Sequence, residues 1–185
     1  MDQKVTIAVI AGTVREGRKS FAAAQWVAEQ GSLRGDVEII FVDPRDIALP
    51  PDGGPDDGRN LHFSEITSKA DGFFIVTPEY NHGYPGSLKR LLDSEYDNYR
   101  HKPVLLAGAS DGPWGGVRVC EALLSPLRTL GLLIGQRTVH FPFVQNTFDE
   151  NGQMQSPDAE KYEKTVQGAY DELVTLARLL RPGRQ

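Results

Sequence analysis

The feature that most constrains this chain is a regular alternation of short apolar bursts with segments of helical character. Four bursts have strand length and β-branched content: Val5–Ala11 (VTIAVIA), Val37–Val42 (VEIIFV), Gly72–Val76 (GFFIV) and Val104–Ala107 (VLLA). A fifth and weaker one runs through Leu132–Phe141 (LLIGQRTVHF). Most are continuous apolar runs. A strand with one wet face alternates apolar and polar residues, whereas a continuous run needs cover on both faces, as the strands of a parallel sheet have. Helical stretches fall between the bursts, so the order is β α β α β α β α β α. That order predicts an α/β fold with right-handed crossovers. Five strands are too few for a (β/α)₈ barrel.

The helix boundaries carry their own expectations. Phe21–Gln30 is alanine-rich, and Gly31 is placed to stop it. Leu61–Lys69 is a shorter helix, and Pro85 to about Asp93 is one with proline in its first turn. In Gly116–Leu130 an apolar face forms from Val117, Cys120, Leu123, Leu124, Leu127 and Leu130, and Pro126 is expected to kink or break it. The last helix is expected to start with Ser156 as cap and Pro157 as its first residue, and to end before Pro182-Gly183. The segment Asp43–Asn60, rich in proline and glycine, reads as a surface loop near a ligand.

A length of 185 residues suits one domain spanning 1–185, large enough to fold without a metal or disulfide staple. The net charge of −5 argues against nucleic-acid binding through bulk basicity. Cys120 is the sole cysteine, which excludes an intrachain disulfide and a cysteine-rich metal site and suits a reducing compartment. No apolar run approaches the roughly 20 residues of a membrane helix, and the expected location is the cytoplasm. The histidines His62, His82, His101 and His140 show no metal-ligand spacing, so no metal is expected. Asp56-Asp57 reads as a solvated turn, and Cys120, on an apolar helix face, as core.

In an open parallel sheet, ligands bind beyond the carboxyl ends of the strands, where the strand order reverses. The loop after the first strand, Gly12-Thr13-Val14-Arg15-Glu16-Gly17-Arg18-Lys19-Ser20, offers hydroxyls, cations and a helix N-terminus to a phosphate. It is equally readable as a polar turn capping a helix with Ser20. Its glycine spacing is neither G-x-G-x-x-G nor that of a Walker A loop. The loop after the third strand, Thr77 to Lys89, sets Tyr80 and Tyr84 among the stiffening Pro78 and Pro85 and the permissive Gly83 and Gly86. Such a loop can read the edge of a flat heteroaromatic ring. After the fourth strand, Ser110 to Gly116 opens a helix with Gly115-Gly116, which either lets a planar ligand rest on the backbone or makes a flexible turn.

Together these loops resemble the NADPH-dependent FMN reductase family of flavodoxin-like proteins. That family carries G-S-x-R after strand one, P-E-Y-N-x-x-x-P-G-x-L-K after strand three and S-x-G-x-x-G-G after strand four. Here the matches are Gly12-Thr13-Val14-Arg15, Pro78-Glu79-Tyr80-Asn81 through Pro85-Gly86-Ser87-Leu88-Lys89, and Ser110-Asp111-Gly112-Pro113-Trp114-Gly115-Gly116. Thr13 stands where serine is commoner, and Arg15 and Ser20 lie further apart than in the short form of the loop, with Arg18 between them.

The resemblance implies a flavodoxin-like three-layer sandwich, a five-stranded parallel sheet of order 2-1-3-4-5, with FMN at the switch between strands one and three. Thr13, Arg15, Arg18 and Ser20 would hold the phosphate. Pro78, Glu79, Tyr80, Asn81, His82 and Gly83 would border the isoalloxazine, and Ser110, Gly112, Gly115 and Gly116 would line its other side. The implied activity is oxidoreduction, with hydride passing from NADPH or NADH through bound FMN to a small acceptor such as free flavin, a quinone, an azo compound or a metal oxyanion. No catalytic acid or base is expected. A non-enzymatic flavodoxin-like electron carrier is the rival reading. Family members are homodimers or homotetramers, and Tyr84, Tyr96, Tyr99 and Trp114 are expected to supply exposed aromatic surface here.

Overall fold

The computed structural model describes residues 3–49 and 59–183. Five strands, β1 (Val5–Ala11), β2 (Val37–Val42), β3 (Gly72–Pro78), β4 (Pro103–Ala109) and β5 (Leu133–Phe141), form one sheet in the order β2-β1-β3-β4-β5. Every pairing is parallel, with Ile7 opposite Ile39 on one side of β1 and opposite Gly72 on the other. This is the expected order.

Side chains along each central strand alternate between two cores. Val5, Ile7, Val9 and Ala11 of β1 join Phe74, Val76, Leu105 and Ala107 under α1 (Lys19–Ser32) and α6 (Ala159–Leu180). Ala8, Ile10, Phe73, Ile75, Val104 and Leu106 face the other way, beneath α2 (Leu61–Lys69), α3 (Gly86–Asp93) and α4 (Val117–Thr129). Both faces of the sheet are covered, which is why β1, β3 and β4 read as unbroken apolar runs. β5 pairs only with β4 and exposes Gln136, Arg137 and Thr138, so its pattern is weaker. A further one-turn helix, α5 (Val144–Thr147), follows β5.

Several local expectations are corrected. Gly31 does not end α1, which runs on to Ser32. A Cβ at Gly31 would lie 2.5 Å from the Tyr170 hydroxyl, so glycine is needed for the approach of α1 and α6. That hydroxyl donates to the Val27 carbonyl at 2.8 Å. Pro126 does not break α4, which is one helix with Leu123 and Leu127 fully buried on either side of the proline. It lies in the last turns, where the packing of those leucines against the sheet outweighs one missing hydrogen bond. The last helix starts at Ala159 rather than after Ser156, whose hydroxyl instead accepts the Asp158 N–H at 3.2 Å in a preceding turn. Tyr99 is not surface: it is fully buried edge-on against Phe73, with ring centroids 5.4 Å apart. Tyr84 is half-buried, which leaves Tyr96 and Trp114 exposed. Asp56-Asp57 lies outside the described residues.

Three carboxylates tie these elements together with depressed pKa values. At Asp36 the Arg34 guanidinium is the main cause; at Asp43 and Glu95 burial alone would raise the pKa, and hydrogen bonds to each carboxylate outweigh it. A depressed folded-state pKa contributes stability above the unfolded-state value, and that contribution is lost as pH falls through the folded-state value. The urea midpoint is therefore expected to stay flat from pH 7 to pH 5 and to fall once pH drops below about 4. A midpoint that holds constant down to pH 2 would contradict these pairings.

Candidate functional site

Strand order reverses between β1 and β3, since the crossover after β1 leads to β2 on one side and the crossover after β3 leads to β4 on the other. At the carboxyl ends of these strands a cleft of about 200 Å³ opens. Its walls are Arg15–Ser20 of the β1–α1 loop, Pro78–Tyr80 at the end of β3, Ala109–Asp111 at the end of β4, and Val144.

The β1–α1 loop leaves the sheet at a tight junction. A Cβ at Gly12 would come within 2.5 Å of the Thr77 side chain, so glycine permits the ends of β1 and β3 to meet. Thr13 is buried next to it, with its hydroxyl 3.1 Å from the Tyr80 hydroxyl and accepting the Arg15 N–H at 3.2 Å. Gly17 takes the left-handed φ of 64° that turns the chain into α1. The helix starts without a side-chain cap and with no acidic residue in its first turn, and Ser20 is buried there. The first N–H groups of a helix have no partner within it, and their dipoles favour negative charge. Arg15 is exposed above this start, its guanidinium 5.8 Å from the centre of the Tyr80 ring.

Arg18 is placed otherwise. Its guanidinium grips both oxygens of Asp43, donates to the Thr13 carbonyl and lies over the Phe21 ring at 4.1 Å. The ion pair is nearly dry, with 7% and 12% of the two side chains exposed. Arg18 therefore brings no free charge to the cleft wall it helps to form.

The β3–α3 loop is built on a two-residue turn. Tyr80 and Gly83 exchange both backbone hydrogen bonds at 2.9 Å, and the residues between them, Asn81 and His82, have φ of 49° and 66°. Left-handed backbone costs an L-residue roughly 1–2 kcal/mol, and strain of this kind concentrates at binding sites. The turn holds Asn81 and His82 exposed beyond the cleft. Glu79 fastens the loop to α4: its carboxylate, only 9% exposed, accepts the Arg118 N–H at 3.2 Å and pairs with the Arg118 guanidinium at 3.4 Å.

After β4, Ser110 lines the cleft and its hydroxyl donates to the Gly112 carbonyl at 3.0 Å. Gly115 and Gly116 are left-handed, with φ of 58° and 78°, and both are buried. A Cβ at Gly116 would lie 2.6 Å from the Ala109 nitrogen, and one at Gly115 would lie 2.9 Å from Pro142 N and from His140 Cβ. The pair packs against the ends of β4 and β5 and does not wall the cleft, so close packing, rather than an open floor for a ligand, is what requires glycine here. Cys120 is core as expected, and burial, with minor help from Glu121 and Glu79, pushes its thiol up to about 12.

Sequence reasoning missed Asp43 and Arg45. Both sit just past β2, which is β1's neighbour, so the strand-end rule applied to β2 as well would have found them.

The sequence matches the family model of the NADPH-dependent FMN reductases over residues 5–146. An NAD(P)H-dependent FMN reductase of Schizosaccharomyces pombe is 38% identical over 120 residues, a segment covering 60% of this chain and 59% of that protein. A 2-hydroxy-1,4-benzoquinone reductase of a Burkholderia species is 30% identical over 172 residues, or 89% of this chain and 93% of the relative. Among solved structures, FerB of Paracoccus denitrificans, a flavoenzyme NAD(P)H:(acceptor) oxidoreductase, shares the fold with a TM-score of 0.73 and 21% identity, over 95% of this chain and 98% of that one.

Proposed function

This chain belongs to the NADPH-dependent FMN reductase family, and we propose how it works as an FMN-dependent NAD(P)H oxidoreductase: the FMN phosphate sits in the β1–α1 loop, and the flavin ring lies across the loops after β3 and β4. The observation that carries this reading is the uncapped, acid-free start of α1 beneath Arg15, at the point where strand order reverses. When bound, FMN supplies the chemistry, accepting two electrons from a nicotinamide and returning them to a second substrate.

The residues present fit a phosphate monoester. Arg15, Ser20 and the uncapped start of α1 line the cleft together and offer a guanidinium, a hydroxyl and first-turn N–H groups, and Lys19 adds charge. The acids nearby do not cancel this. Glu79 is paired with Arg118, and Glu16 and Asp111 are exposed to water. A single terminal phosphate suits FMN better than FAD. At about 200 Å³ the cleft is smaller than the roughly 300–1,000 Å³ of a whole ligand pocket. It holds the phosphate end, and the ring extends over the open loops.

There Pro78, Glu79 and Tyr80 border the ring, and the strained turn offers Asn81, His82 and Gly83 to its polar edge. Ser110 and Gly112 line the other side, with Gly115 and Gly116 setting that loop's height. Thr13 holds Tyr80 in place. No proton has to move through a side chain, so the protein's contribution is position: reacting atoms must come within about 3–3.5 Å. The acceptor is a small planar molecule of the quinone or flavin class, since an open ring face between low loops admits one. The exposed Trp114 and Tyr96 suit burial against a second copy in a homodimer or homotetramer. Among the described residues no helix is long and apolar enough to cross a membrane, and the cytoplasm is the proposed location.

Steady-state kinetics with NADPH and a benzoquinone test this reading. Donor and acceptor take the same place in turn, so double-reciprocal plots should give parallel lines. Lines converging on a common point would require both substrates on the protein together and contradict it.

A further inference from the structure

Arg45 stands behind the phosphate loop rather than in the cleft. It does not wall the cleft, whereas Arg15, Glu16 and Gly17 do. From outside, its Nε donates to the Val14 carbonyl at 3.0 Å and its terminal nitrogen to the Arg15 carbonyl at 2.8 Å. Arg18 donates to the carbonyl just before these, that of Thr13. Three consecutive carbonyls are thus pinned by two arginines. Asp43 aligns both: it binds the Arg18 guanidinium with its two oxygens and accepts the Arg45 backbone N–H at 3.0 Å. Asp43 follows directly on β2, whose last residue, Val42, pairs with Ile10 of β1, so the clamp is anchored in the sheet.

We propose that Arg45, held by the Asp43–Arg18 pair, is a positioning residue for the FMN phosphate. The inference rests on the proposed placement of that phosphate at the β1–α1 loop. In a planar trans peptide the N–H points opposite to the C=O. Pinning the carbonyls of Thr13, Val14 and Arg15 therefore turns the N–H groups of Val14, Arg15 and Glu16 away from the arginines that hold them. The Arg15 N–H is taken up by the Thr13 hydroxyl, which fixes the bend of the loop. A loop set in this shape before the ligand arrives does not have to be ordered on binding, and preorganisation of this kind increases affinity. A guanidinium holds the two carbonyls with two separate nitrogens of one rigid planar fork, whereas an ammonium has a single nitrogen on a flexible stem and fixes their relative orientation less well.

The test is binding of FMN and of riboflavin, which lacks the phosphate, to apoprotein prepared from the wild type and from Arg45→Ala and Arg45→Lys, read by flavin fluorescence quenching. The wild type should bind FMN more tightly than riboflavin. In Arg45→Ala the FMN affinity should fall by about tenfold, the lower end for removing an orienting residue behind a ligand site, while riboflavin affinity stays within about twofold. Arg45→Lys keeps the charge and should behave like Arg45→Ala. Retention of the wild-type FMN-to-riboflavin ratio in Arg45→Ala, an equal loss for both ligands, or full rescue by lysine would each overturn the inference. Equal wild-type affinities for FMN and riboflavin would instead sink the phosphate placement itself.

Discussion

Arg15→Ala is expected to weaken FMN binding by about 1.5–3 kcal/mol, roughly 10- to 150-fold, the range for a hydrogen bond to a charged partner. The two loop arginines have divided tasks. Arg18 is spent on Asp43 inside a nearly dry ion pair, whereas the Arg15 guanidinium is exposed at the mouth of the cleft over the start of α1. Arg15 is therefore the side chain free to close on a phosphate with two parallel N–H donors. Its removal should leave the fold intact, because its loop-shaping hydrogen bonds, from its N–H to the Thr13 hydroxyl and to its carbonyl from Arg45, are made by its backbone, which alanine keeps. Fluorescence titration of the apoprotein checks this, and an unchanged FMN affinity would remove Arg15 from the site.

Gly116→Ala carries the largest expected cost in stability. The position has a left-handed φ of 78°, and a Cβ there would lie 2.6 Å from the Ala109 nitrogen and 2.7 Å from the Gly108 Cα. The contacts are backbone atoms of β4, which cannot swing aside as a side chain could. Left-handed backbone costs an L-residue about 1–3 kcal/mol, and overpacking about as much again. A loss of about 2–6 kcal/mol follows, which for a protein of this size lowers Tm by about 4–24 °C. Gly17→Ala is the control: φ is 64°, but no atom lies within 4 Å of the Cβ, so only the conformational cost applies. If thermal unfolding shows Gly116→Ala no less stable than Gly17→Ala, the close packing of this loop on β4 is wrong.

The contrast between these glycines shows what sequence could and could not reveal. Gly115-Gly116 stood out as a pair at a strand's carboxyl end, but its reason, contact with β4 and β5, depends on residues elsewhere in the chain. The same holds for Gly31, which looks like a helix stop until Tyr170 is brought against it. The central strands β1, β3 and β4 were legible because burial on both faces leaves a near-continuous apolar run, and β2, at one edge, because all its residues but Glu38 are apolar. β5 was faint because it lies at the edge, and half of its residues need not be apolar. Local signals also misled where tertiary contacts overrode them: Pro126 inside α4, and Tyr99 drawn into the core beside Phe73. The β1–α1 loop was readable either as an anion loop or as a polar turn, but which arginine faces outward was not legible. That is decided by Asp43, 25 residues from Arg18 along the chain and in contact with it only because β2 lies beside β1. Arg45 matches no side-chain motif, since its guanidinium holds backbone carbonyls, and only its place just past the end of β2 marks it.

This protein is proposed to take electrons from a nicotinamide onto FMN held at the β1–β3 switch point. Rapid anaerobic mixing of the FMN-loaded protein with NADPH, in the absence of any acceptor, tests it most directly. The visible absorbance of the bound flavin should bleach within the turnover time, and addition of a benzoquinone should restore it. Flavin that keeps its oxidised spectrum with NADPH, yet bleaches when dithionite is added, would contradict the account.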